Sequence, residues 1–113
     1  MTTFAELRAA LEASGIPFTA FAWATEPETP AWGVVAIDGG VTLRGDDTET
    51  ESGLEGTVDL FTRNLSAADF QTVNGVLRTL DLAWRLNSVQ YEEERRLIHY
   101  EWVWQSAAPA VFE

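Results

Sequence analysis

The sequence predicts an α+β fold: a two-layer sandwich with two helices packed on one face of an antiparallel sheet of about five strands. Three features point there. Two capped segments have a single apolar stripe at helical spacing, around Phe4, Leu7 and Leu11 and again around Phe70, Val73 and Leu77. Between and after them lie short β-rich runs bounded by Pro and Gly. The final run, Ile98, Tyr100, Trp102 and Trp104, places its large side chains at every second position, which directs them to one sheet face.

The first helix is expected from about Thr3 to Ser14. Thr3 and Glu6 have capping-box spacing, Gly15 suits the position just past the end, and Pro17 prevents continuation. Phe18 to Thr25 reads as a strand, and Glu26-Pro27-Glu28-Thr29-Pro30 as a rigid polar connection. Ala31 to Ile37 is a second strand, stopped at Asp38-Gly39-Gly40. The stretch from Val41 to Gly56 has weak periodicity and many acids, so it reads as a long loop or an extended hairpin arm. Thr57 to Arg63 is the third strand.

Ser66 is the expected cap of the second helix, with Asp69 in capping-box position and Leu65 and Phe70 at staple spacing. Leu82 to Leu86 then reads as a short strand, Asn87 to Glu94 as a polar turn region, and Arg95 to Gln105 as the last strand. A single domain over 1–113 follows, with 106–113 as a loose tail.

Composition removes several function classes. With no Cys there is no disulfide framework or thiolate chemistry, and with one His, His99, there is no His-rich zinc site. The first residues lack the basic-then-apolar layout of a signal peptide, and no apolar run has the length of a membrane span. Eighteen acids against seven bases, all Arg, give a formal charge of −11 and no basic patch for gripping phosphates. Acidity alone fits any soluble protein, but it also suits a surface that DNA must pass without sticking.

No triad or calcium-loop spacing is present, and Gly39-Gly40 and Gly53 read as turn glycines. His99 lies mid-strand with Glu101 pointing the same way, and reads as a structural or interface histidine. Glu92-Glu93-Glu94 beside Arg95-Arg96 reads as a solvated turn with local ion pairs. No enzymatic activity, cofactor or metal is therefore expected.

The first two strands do not alternate cleanly. Phe18, Ala20, Ala22 and Ala24 oppose Phe21 and Trp23, and Trp32, Val34 and Ala36 oppose Val35 and Ile37, so both faces are apolar. Loop cover over a central strand pair, a second face buried against another subunit, and a ligand cleft each account for this. The subunit reading makes Phe21, Trp23, Val35 and Ile37 interface candidates. Asp46, Asp47, Glu49 and Glu51 form the acidic arm, a candidate for docking on a neighbour or lining a channel.

The order of these pieces resembles the tail-completion or tail-terminator family of long-tailed, siphovirus-type bacteriophages. The resemblance is carried by Gly15-Ile16-Pro17, by Pro27 with Pro30-Ala31-Trp32-Gly33-Val34-Val35, by Val58-Asp59-Leu60-Phe61-Thr62, and by Tyr100-Glu101-Trp102. The chain departs from the pattern at Arg63-Asn64-Leu65, where a basic-acid pair is usual, and in the greater acidity of the arm. The resemblance implies a homohexameric ring that stacks on the last layer of the tail tube protein, stops its growth and meets the head connector or head-closure protein. DNA passes through the lumen without specific binding, and no membrane is involved. The implied location is the head-tail junction of the virion, and the host cytoplasm during assembly. A head-side connector subunit and an acidic DNA mimic binding a basic host protein are the alternatives. The helix-strands-helix order disfavours the first, and the confinement of the acids to one arm and one turn disfavours the second.

Overall fold

The computed structural model of the protein describes residues 1–44 and 50–107, with backbone alone for 40–44 and 50–52. Its elements run α1 (Phe4–Glu12), β1 (Phe18–Ala20), β2 (Ala31–Arg44), β3 (Thr50–Thr62), α2 (Ala68–Arg78), β4 (Ala83–Glu92) and β5 (Leu97–Ser106). The strands form one sheet in the order β1-β2-β3-β5-β4. The architecture is α+β, two helices with a five-stranded sheet, consistent with a two-layer sandwich.

Helix α1 forms as its caps dictate. The Thr3 hydroxyl accepts from the Glu6 amide at 3.1 Å, and the Glu6 carboxylate accepts from the Thr3 amide at 2.9 Å. Gly15 takes φ +94, a left-handed conformation that turns the chain toward β1. The reciprocal bond also holds the Glu6 carboxyl below the usual carboxylate range, chiefly through the Thr3 amide.

Helix α2 departs from expectation. Ala67 occupies the N-cap position and makes no side-chain cap bond, so Ser66 is not the cap. Asp69 turns away, accepting from the Thr62 hydroxyl at 2.7 Å and the Asn64 amide at 2.8 Å. Those bonds tie the helix start to the end of β3. Leu65 is 75% exposed, so no staple to Phe70 forms.

The expected antiparallel sheet is mixed. β1 pairs with β2 in parallel, Phe18 opposite Gly33 and Ala20 opposite Val35, and the other neighbours are antiparallel. β1 ends at Ala20 because Phe21 takes φ 68. Residues 21–30 then carry the chain back so that β2 starts beside the beginning of β1, as a parallel pair requires. Gly33 is needed there, since a Cβ at this position would collide with the Phe18 ring.

One sheet face meets both helices. Val35, Val58, Leu60, Tyr100, Trp102 and Trp104 are buried with Phe4, Leu7 and Leu11 of α1 and Val73 and Leu77 of α2. The alternation read in the last strand holds, with Ile98 partly buried at the end of the row. Phe70 packs between Tyr100 and Trp102, with ring centroids at 5.0 and 5.5 Å, and the Trp102 indole donates to Asn74 at 3.2 Å. The N-terminus is fastened too: the amide of Thr2 donates to the Asp81 carbonyl, and the Asp81 amide to the Thr2 hydroxyl.

β4 is longer than the sequence suggests. Asn87 to Glu92, expected as a turn region, continues the strand, and the tight turn lies between Glu92 and Leu97. Register shifts mark a bulge near Asp38 in β2 and another at Asn87 in β4. On either side of residues 45–49, the stretch expected as a loop or arm is strand. β2 and β3 stay paired out to Arg44 opposite Thr50, whereas among the described residues β5 pairs with β3 from Leu54 onward. The hairpin end therefore extends past the other strands, in a molecule of 49 × 24 × 24 Å.

Candidate functional site

The sheet face away from the helices carries the residues that chemistry or contact can use. Alternation sends Trp32 and Val34 of β2, Asp59 and Phe61 of β3, and Leu97, His99 and Glu101 of β5 to this side. At the end nearest the β4–β5 turn, the rings of Trp32 and Phe61 stack at 5.7 Å, and those of Phe61 and His99 at 4.3 Å. The Arg63 guanidinium lies 5.1 Å from the Trp32 ring, and that of Arg95 lies 5.8 Å from both Trp32 and Phe61. Arg95 is also ion-paired to Glu26 and, at 3.4 Å, to Glu92.

This cover explains why both faces of β2 looked apolar. Trp32 is only 2% exposed because arginines from two separate segments close over it. The reading of Arg95 as part of a merely solvated turn is therefore corrected. Its side chain bridges the turn to the 21–30 connection through Glu26.

The interface candidates separate. Val35 is fully buried under the helices, which removes it from any subunit contact, and Ile37 packs against the same core. Phe21 is 52% exposed but its ring packs at a tilt against Phe4 of α1, centroids 5.7 Å apart, so it stands on the helix side rather than the open face. Trp23 is half-buried and its indole donates to the Gly33 carbonyl at 3.0 Å. Phe21 and Trp23 both lie past the end of β1, so the strand alternation expected to carry them does not extend that far. Asp46, Asp47 and Glu49 lie outside the described residues, as does the side chain of Glu51. Of the tail expected over 106–113, Ser106 instead ends β5 and is buried, and 108–113 lie outside the described residues.

The exposed apolar groups that sequence reasoning missed are on β4. Leu86, Val89 and Tyr91 are 38%, 53% and 58% exposed, on the outermost strand beyond β5. Val89 stands opposite Tyr100 and Tyr91 opposite Ile98, so they continue the helix-side face past the reach of α2. The alternation of Val89 and Tyr91 is out of step with Leu86, because the bulge at Asn87 shifts the register, and Asn87, Ser88 and Gln90 dilute it further.

Beside the aromatic stack, His99 Nε2 lies 2.6 Å from Asp59 Oδ1, and its Nδ1 lies 3.8 Å from Glu92. Asp59 stands directly opposite Glu101 across the β3–β5 pair. Glu101 accepts from Asn87 at 2.8 Å, and Asn87 in turn accepts from Arg85 at 3.0 Å. The hydrogen bond to Asp59 holds the imidazole above its ordinary pKa. Partial burial opposes that shift, and the negative charges of Asp59, Glu92 and Glu101 add to it. Only the strand register brings Asp59 to His99, forty positions on.

A groove of about 510 Å³ at the other end of the sheet is lined by Asp38, Glu55, Trp84, Arg85 and Trp104 among others. The Trp104 indole N–H is buried without a hydrogen-bond partner among the described residues. Comparison with protein-family models and with curated proteins finds no match for this chain.

Proposed function

We propose that this chain is a structural, non-enzymatic subunit of a long-tailed bacteriophage particle. In this reading it is a tail terminator that joins copies of itself into a ring, a hexamer by the family resemblance. The ring caps the tail tube protein and offers its other side to the head connector. The observation that carries the reading is the combination of an apolar outer strand with a projecting hairpin. β4 is an outer strand with no further strand beside it among the described residues, and it carries the exposed Leu86, Val89 and Tyr91, which suits side-by-side subunit contact. The β2–β3 hairpin extends beyond the sheet, which suits contact along the ring axis.

Charge fits the same role. At −11 the chain repels the phosphate backbone, so a ring of such subunits lets the genome slide through its lumen. The acidic arm, Asp46, Asp47, Glu49 and Glu51, is the part we assign to docking on a neighbour, because in the chain it joins the two strands whose pairing runs past the rest of the sheet.

Mass measurement of the purified protein, alone and mixed with tail tubes, followed by negative-stain imaging, tests this. The expected result is a closed ring, free or seated on tube ends. A protein that stays monomeric at high concentration and leaves tube ends bare would overturn the reading.

A further inference from the structure

We propose that Asp59, His99 and Glu101 form a binding site for one divalent cation of the zinc and cobalt class on the open sheet face. One ligand atom from each residue lies within 4.8 Å of those of the other two. An imidazole nitrogen with two carboxylate oxygens is a donor set for borderline divalent metals, which sit about 2.0–2.2 Å from such atoms. The three side chains leave β3 and β5 in paired register, so the backbone fixes their spacing and small side-chain rotations close the site.

Two further observations point to a cation there. Asp59 and Glu101 are directly opposed across the strand pair, an arrangement of like charges that, among the described residues, only the His99 imidazole offsets. Among the described residues neither is ion-paired to an arginine. Asp59 has only His99, and Glu101 has the neutral amide of Asn87. The surroundings also match the outer support that metal ligands receive. The second imidazole nitrogen of His99 lies 3.8 Å from the Glu92 carboxylate, whose negative charge favours a proton on Nδ1 and so Nε2 as the metal-binding nitrogen. Asn87 holds Glu101, and the Phe61 ring holds the imidazole plane. On binding, the cation takes the place of the proton shared between His99 and Asp59. Three protein ligands leave the remaining coordination to water.

The test uses the full chain, stripped with chelator and titrated with Zn²⁺ by calorimetry and with Co²⁺ by NMR. His99 is the only histidine, so its ring signals are assigned without any variant. One saturable Zn²⁺ per chain is expected, with the His99 ring resonances strongly shifted by Co²⁺. Asp59→Asn and Glu101→Gln should each lose about tenfold or more in affinity. Glu93→Gln, in the exposed turn, should bind as the unaltered chain does. Co²⁺ in excess that leaves the His99 resonances in place would overturn the proposal. So would Zn²⁺ binding that survives both carboxamide variants.

Discussion

Leu77→Ala is the sharpest probe of the two-layer core. Leu77 is fully buried in α2, within the cluster that holds Leu7, Leu11, Val58 and Trp102. Leu and Ala differ little in helix propensity, so the change reports packing rather than helix formation. Three carbon groups leave the core, and at about 0.8 kcal/mol each the transfer loss is roughly 2.4 kcal/mol. The cavity adds to this, and Leu→Ala changes at comparable sites total about 2.7–5 kcal/mol. A loss of about 3 kcal/mol is the working value. For 113 residues, an unfolding entropy of about 2.1 cal/mol/K per residue converts it to a drop in Tm of about 12 °C. Urea melts of the two proteins, followed by tryptophan fluorescence, should show the midpoint move with the slope unchanged. A loss below about 0.5 kcal/mol would refute the packing of α2 on Trp102.

Three further outcomes follow from particular contacts. Gly33→Ala should destabilise by about 1–3 kcal/mol, because the new methyl meets the Phe18 ring; a change within about 0.5 kcal/mol in the same urea melt would contradict the β1–β2 register. In chelator, His99 stabilises the fold through its raised pKa, so its contribution is complete below about pH 6.5 and is lost as pH rises through the folded value. Urea midpoints should fall across that window in the unaltered chain and not in His99→Asn, and an NMR titration of His99 at or below about 6.5 would contradict the Asp59 bond. Val89→Ser with Tyr91→Ser should abolish self-association while the monomer melt stays within about 0.5 kcal/mol, since both side chains are largely exposed. Rings that persist in the double variant would remove β4 from the interface.

Local patterns carried the sequence reading where one residue's role depends on near neighbours. The Thr3–Glu6 box, the Gly15 turn and the stripe of Leu7 and Leu11 all sit within one or two helical turns. The alternation of Ile98 to Trp104 was equally plain, since one face meets the helices. β4 was read short because Asn87, Ser88, Gln90 and Glu92 are the polar residues an outer strand can carry, and they resemble a turn. The parallel β1 was hidden by the break at Phe21, a backbone feature that no side-chain pattern announces. β2 is apolar on both sides, so its pattern alone does not reveal that Val35 faces the helices. The reason, arginines folded over Trp32, depends on contacts from Arg63 and Arg95 far along the chain. The Asp59–His99 pair was illegible for the same reason, as it exists only in the register of β3 on β5.

The proposed ring-forming tail role is tested most directly in the particle. The gene for this chain would be deleted from the phage that carries it, and the lysate imaged by electron microscopy before and after the purified protein is added. The account predicts filled heads without tails and separate tubes of abnormal, often excessive length, with normal tail length and joining restored by the added protein. Tails of normal length, joined to heads in the absence of the chain, would contradict it.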